Sequence, residues 1–230
     1  MSTFTKLTWP IQDLSAVCAL QLSVAPGKLS LSGTLADLSI PDQVSFIKAK
    51  MTRSISISST TNDYTGTTFT IEGLQNGAYV TENIFPGPNS DATVYGTQYY
   101  DIITSVTSST AITGAPNTGI RVGTGDAGFF PLIVVNTAAT IINYSATVLV
   151  RSTPPSGINY ELFQTLDEVS NNFIPLVNQL TTRFFPNALG ITGTGPQIGN
   201  SSAITNFVLF QIISSTTPAT DTLDFIFLQE

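Results

Sequence analysis

The chain has no histidine, and that one absence removes much of enzyme chemistry. Ser-His-Asp and Cys-His arrangements need an imidazole to move a proton near neutral pH, and imidazole is also the commonest metal ligand. A single cysteine, Cys18, excludes an internal disulfide and thiolate zinc sites. It sits among Ala16, Val17, Ala19 and Leu20, so a buried, inert thiol and synthesis in a reducing compartment are expected. Charge is scarce as well: Asp, Glu, Lys and Arg make up 10% of 230 residues, against about 25% in an ordinary soluble domain. The basic residues Lys6, Lys28, Lys48, Lys50, Arg53, Arg121, Arg151 and Arg183 are scattered, and only Lys48, Lys50 and Arg53 come near one another, as on a solvated strand face. With a net charge of -7 and a pI near 4.3, binding to nucleic-acid phosphates is not expected. No run approaches the roughly 18 apolar residues of a membrane span, and the first ten residues carry no signal-peptide core. A soluble protein made in the cytoplasm is the expectation.

What is present is β-sequence. Hydrophobic residues make up 42% of the chain, too many for disorder, and Ser, Thr, Asn and Gly fill the place of charge. A neutral, hydroxyl-rich surface suits faces that meet other subunits, and equally a generic secreted β-domain. The densest pattern runs from Asp63 to Asp126. Thr67-Thr-Phe-Thr-Ile71, Tyr79-Val-Thr-Glu82, Tyr99–Thr107 and Ile120–Gly125 alternate with the turn signals Asn76-Gly77 and Pro86-Gly-Pro88. Asn-Gly favours a two-residue hairpin because that turn needs positive φ. The period-2 alternation on both sides marks half-buried strands. The fold class expected is mainly β, an antiparallel β-sandwich or jelly-roll-like core.

Around this meander the chain divides, on composition, into four parts. Residues 1–15 read as an N-terminal arm, with Trp9-Pro10 biased to extended structure. Residues 16–153 read as the β-core: Val17–Val24 and Lys28–Leu35 flank Pro26-Gly27 as a first hairpin, and Ser54-Ile-Ser-Ile-Ser58 should bury one face only. Phe129–Val135 and Thr140–Val150 follow as β-branched strands, with Pro131 at a strand start or a bulge. Pro154-Pro155-Ser156-Gly157 marks the best internal boundary. Residues 154–203 read as a helical and loop insertion. There Leu162, Leu166, Val169, Phe173, Leu176 or Val177, Leu180 and Phe184 recur at intervals of three and four, predicting one short helical segment near 160–185, kinked or split at Pro175. Residues 204–230 supply two closing strands, Ile204–Ile213 and Thr222–Leu228, apolar on both faces.

No catalytic, cofactor-binding or metal-ligating residue is assigned. Gly123-Thr-Gly-Asp-Ala-Gly128 matches the dinucleotide fingerprint, but that site needs a helix opening at the last glycines, and the strand-like Phe129–Val135 follows instead. The run is read as a glycine-rich β-turn. Glu72, Glu82, Asp91, Asp101 and Asp126 could supply a glycosidase pair only if two faced each other, and they read better as solvated carboxylates. Asn62-Asp63 and Asp221/Asp224 lack the oxygen density of a calcium loop. Tyr95, Tyr99 and Tyr100 are the one candidate sugar platform, with a core or interface role weighed above it. The sequons at Asn143 and Asn200 are attributed to chance in a chain this rich in Asn, Ser and Thr.

Phe69-Thr-Ile-Glu-Gly73, Asn76-Gly77, Val80-Thr-Glu82, Pro86-Gly-Pro88, Val94, Gly96-Thr97, Tyr100–Val106 and Val122-Gly-Thr124 together resemble a pattern in β-rich virion proteins of tailed bacteriophages. Asn143–Val148 and Leu223–Gln229 are similar to later strands of those proteins. The chain departs from the pattern at Leu74 and in the segment 156–202. The resemblance implies a non-enzymatic subunit of a virion assembled in the host bacterial cytoplasm. Its partners would be the major capsid or neck and tail subunits, and further copies of itself, with no cofactor, nucleic acid or membrane. A head decoration or cement protein is the first reading. A neck or tail subunit and a host-surface-binding fibre module are the alternatives, and a glycan-processing enzyme is the outlying class.

Overall fold

A computed structural model describes residues 3–9, 12–36, 39–40, 42–46, 52–75, 77–129, 133–134, 143–151, 158–165, 182–183, 202–204, 207–215 and 223–229. All of its regular elements are strands. In chain order they are β1 (Thr3–Trp9), β2 (Cys18–Gln21), β3 (Gly27–Lys28), β4 (Val44–Ser45), β5 (Thr52–Ser59) and β6 (Phe69–Gln75). They continue with β7 (Ala78–Ile84), β8 (Thr93–Tyr95), β9 (Ile102–Ser108), β10 (Ile120–Phe129), β11 (Ile133–Val134) and β12 (Asn143–Arg151). The last are β13 (Ile158–Thr165), β14 (Thr182–Arg183), β15 (Ser202–Ile204), β16 (Phe207–Ser215) and β17 (Leu223–Gln229). The chain packs as two compact units, Gln12–Gly128 and the combination of Met1–Ile11 with Phe129–Glu230. The division thus falls at Gly128/Phe129, ahead of the Pro154–Gly157 stretch, which lies outside the described residues.

The unit Gln12–Gly128 holds two antiparallel sheets. One runs β3-β9-β6-β7, with β4 also on β9; in the other β5 lies between β10 and β8, and β2 pairs with β10. Alternation puts Phe69 and Ile71 of β6, Val80 and Ile84 of β7, and Ile103 and Val106 of β9 on one inner face. Cys18 of β2, Ile55 and Ile57 of β5, and Ile120 and Val122 of β10 line the other. These residues share one core, so the mainly β, two-sheet expectation holds. Each fully buried aliphatic side chain contributes about 1.5–3 kcal/mol relative to exposure. Where the expected tight turn is described it is as expected: Gln75 pairs with Ala78, and Gly77 has φ of 80°; Asn76 lies outside the described residues.

Two local expectations for this unit are corrected. Pro26-Gly27 does not close a hairpin. Gly27 and Lys28 pair with Ser108 and Thr107 of β9, whereas β2 pairs with β10, so the turn carries the chain from one sheet to the other. Nor does β5 bury one face only; every residue from Thr52 to Ser59 is buried. On its serine face two hydroxyls find backbone acceptors, Ser54 Oγ donating to Ala127 O at 3.1 Å and Ser56 Oγ to Thr124 O at 2.9 Å, while Ser58 Oγ is buried without a hydrogen-bond partner.

In the other unit a four-stranded sheet runs β1-β17-β12-β15, while β16 pairs with both β13 and β11 and β14 borders β13. The expected arm is in large part strand. Thr3–Trp9 pairs in register with Leu223–Gln229, from Thr3↔Gln229 to Trp9↔Leu223. The helix expected near 160–185 is corrected wherever residues are described: Ile158–Thr165 is strand, with Leu162 opposite Phe210, and Thr182–Arg183 pairs with Gln164 and Phe163. Ile158, Tyr160 and Leu162 alternate with Asn159 and Glu161, and that shorter period wins once β16 offers a ladder. Residues 166–181 and 184–201 and Pro131 lie outside the described residues.

Candidate functional site

The glycine run that could have been a phosphate loop is the middle of a strand. Gly123–Gly128 lies inside β10, which corrects the reading of a β-turn. The glycines are there for closeness of backbone. A Cβ on Gly123 would strike the backbone of Asp13 and Leu14, and one on Gly125 would strike Ser54. Thr124 N donates to Asp13 O at 2.8 Å, Val17 N to Val122 O at 2.9 Å, Asp13 N to Thr124 Oγ1 at 2.9 Å and Gln12 Nε2 to Thr124 O at 3.0 Å. The Asp13 carboxylate is itself spent on the loop, accepting from Ser15 N and from the Thr34 hydroxyl. With its N–H and C=O groups committed in this way, β10 is a clamp for residues 12–17.

Beside the clamp lies a buried cation. Arg53 was read as part of a solvated basic cluster, but it is 2% exposed, a correction to that reading; Lys48 and Lys50 lie outside the described residues. Its Nη2 donates to Gly125 O at 2.6 Å. Burial pulls the guanidinium down to about 10, opposed by the Asp126 and Asp13 carboxylates. Burial in turn holds the Asp126 carboxyl above the usual range, with its own backbone hydrogen bond and Arg53 acting the other way. Asp126 is therefore half-buried beside a cation rather than solvated.

The remaining carboxylates do not gather. Glu82 faces inward, and its Oε1 accepts from Thr97 Oγ1 at 2.8 Å and from the N–H groups of Thr97 and Gln98. Glu72 projects from the other face of the same sheet, since Glu82 shares a face with its partner Ile71 and Glu72 is the next residue along. Asp101 is buried and accepts from Thr52 Oγ1 at 2.6 Å. Asp91 is exposed in a turn with φ of 57°. Asp63 caps Thr65 N at 2.8 Å, which holds its carboxyl below the ordinary range. Asn62 Nδ2 donates to Thr113 O, Tyr64 Oη and Thr118 Oγ1, tying two loops together. Among the described residues no group of three His, Cys, Asp or Glu side chains is placed to hold a metal ion.

The tyrosines are dispersed in the same way. Tyr100 is fully buried and Tyr95 is 44% exposed on β8, with its hydroxyl accepting from Gln12 Nε2 at 3.4 Å. Burial, reinforced by Glu82, holds the Tyr100 hydroxyl well above the ordinary phenol range. Cys18 is fully buried, and burial pushes its thiol up to about 12, so the thiolate is suppressed. Sequence reasoning missed Arg53, Asp13 and Asn62 as buried or tying groups. The signal available was Gly123-Thr-Gly125, whose small residues require a neighbouring backbone at close range. Asn143, of the first sequon, lies on β12. Compared with known proteins, the sequence matches no family model and no curated protein.

Proposed function

We propose that this chain is a non-enzymatic structural subunit of a tailed-bacteriophage virion, a capsid decoration or cement protein that stabilises the particle by bridging neighbouring subunits. The observation that carries this reading is what the resemblance residues do. Gly77 lies in the tight turn that closes β6 onto β7, Glu82 anchors residues 97–98, and Val122-Gly-Thr124 clamps the segment 12–17. The signature residues are thus fixtures of a scaffold. The low charge and hydroxyl-rich composition suit neutral interfaces with major capsid subunits and with further copies, where modest contacts repeated around a shell sum to high avidity.

The test is cryo-EM reconstruction of virions purified from cells that make the protein, with its copy number measured by quantitative mass spectrometry. Hundreds of copies on an icosahedral shell are expected. A dozen or fewer at the neck or tail would replace the decoration role with a connector or fibre role, and absence from particles would overturn the structural class.

A further inference from the structure

Among the described residues the outer edge of β7 is an open strand edge. β7 ends the order β3-β9-β6-β7, and among the described residues nothing pairs with its far side. Soluble proteins blunt such edges with Lys, Pro, bulges or an inward-pointing charge left without partners. Ala78-Tyr-Val-Thr-Glu-Asn-Ile84 has no Lys, Arg or Pro, and its register with β6 runs unbroken from Phe69↔Ile84 to Gln75↔Ala78. Its one charge, Glu82, points inward, where such a charge can deter pairing, but its Oε1 is already engaged by Thr97 and Gln98 of the same chain. The two-residue turn makes Gln75 and Ala78 a hydrogen-bonded pair. Ala78, Val80, Glu82 and Ile84 therefore commit their backbone groups to β6. Tyr79, Thr81 and Asn83 hold their N–H and C=O groups outward.

The same residues form an exposed face. Tyr79 and Phe85, each 65% exposed, are the most exposed aromatics among the residues whose burial is described; Tyr79 stands on the odd-numbered side with Thr81 and Asn83, and Phe85 follows directly on the end of the strand. We infer that β7 pairs antiparallel with β7 of a second copy about a two-fold axis at Thr81. That register sets Thr81 opposite Thr81 and Tyr79 opposite Asn83. It brings Tyr79 of each copy diagonally beside Phe85 of the other, within reach of aromatic side chains. It also sets Glu82 opposite Val80, so the two carboxylates do not face each other. The strand is self-complementary, as a two-fold interface requires, and the continuous ladder is the mode by which sheet edges recruit strands. The inference rests on the edge alone and stands whether or not the chain belongs to a virion.

The experiment is sedimentation velocity of the purified full chain over a concentration series, with residue-resolved hydrogen exchange. Wild type is expected to dimerise, with the Tyr79, Thr81 and Asn83 amides protected only as dimer forms. Thr81→Pro removes an outward N–H that β6 does not use, so the hairpin is retained while the dimer dissociation constant rises at least about tenfold. Thr81→Lys, which keeps the backbone intact and sets like charges opposite each other, should do the same. Thr81→Cys in a Cys18→Ala background should cross-link to itself, since opposed hydrogen-bonded residues have Cα atoms about 5.5 Å apart. A monomer at every concentration would overturn the inference. So would a dimer indifferent to both Thr81→Pro and Thr81→Lys, or a dimer in which the Tyr79, Thr81 and Asn83 amides exchange freely.

Discussion

Replacing Gly123 by alanine should be among the most damaging single-methyl additions in the Gln12–Gly128 unit. The new Cβ would fall on the backbone of Asp13 and Leu14, and backbone cannot swing aside as a side-chain tip can. To admit it, residues 12–14 must lift off β10, which loosens the bonds from Thr124 N to Asp13 O, from Asp13 N to Thr124 Oγ1 and from Gln12 Nε2 to Thr124 O. At roughly 0.5–1.5 kcal/mol for each of the three hydrogen bonds and about 1–3 kcal/mol for overpacking, the cost is about 2.5–7.5 kcal/mol. A domain holds only about 5–15 kcal/mol in total. Two further glycines calibrate the result. Gly66 has open space around it, so Gly66→Ala should be neutral or stabilise by up to about 1 kcal/mol through the unfolded chain. Gly77 is also open but has φ of 80°, so Gly77→Ala should cost about 1–2 kcal/mol from backbone strain alone. Because the chain has two compact units, a global melt mixes their transitions, and hydrogen exchange of peptides covering 12–22 and 118–128 is the cleaner readout. If Gly123→Ala behaves like Gly66→Ala, the packing of residues 12–14 against β10 is wrong.

Glu82→Ala should release residues 97–98 and cost about 2–3 kcal/mol, because three donors lose their acceptor; Glu82→Gln, which keeps a carbonyl in place, should recover most of it in urea titrations. Cys18 is raised from 9.0 to about 12 in the folded protein, so the stability it contributes is complete below pH 9 and lost as pH rises toward 12, by about 1.4 kcal/mol per pH unit at most. Cys18→Ala should flatten that alkaline decline, and the native wild-type thiol should react with a disulfide reagent at least about a hundredfold more slowly than the urea-unfolded chain. Deleting Phe225–Glu230 removes most of β17, which pairs with β1 on one side and β12 on the other, so it should unfold that unit; unchanged Trp9 fluorescence would refute this.

The sequence made the β6–β7 hairpin legible because Asn76-Gly77 is a local signal whose conformation depends on its own residues. It made the partners of β2 and β3 illegible, since Pro26-Gly27 states that the chain turns without stating which sheet receives it. The same limit explains the failed helix over Ile158–Thr165. A spacing of Leu162 and Leu166 is compatible with a helix until a second strand supplies the ladder, and β16 lies more than forty residues away in sequence. The buried serine face of β5 is the most instructive case. Ser54-Ile-Ser-Ile-Ser58 and a half-exposed strand are the same string of letters, and they differ only in whether backbone carbonyls stand ready for the hydroxyls. Here Ala127 O and Thr124 O do, and the glycines of β10 allow them to come that close. In a chain so poor in charge, most of the buried polar side chains among the described residues are hydroxyls, with Arg53, Gln75 and Asp101 beside them. At Ser54 and Ser56 the alternation of Ser with Ile reports two kinds of neighbour, carbonyl on one side and hydrocarbon on the other. The physical basis for the clamp was already written in Gly123-Thr-Gly125; what was missing was the partner, Asp13, which is over a hundred residues away.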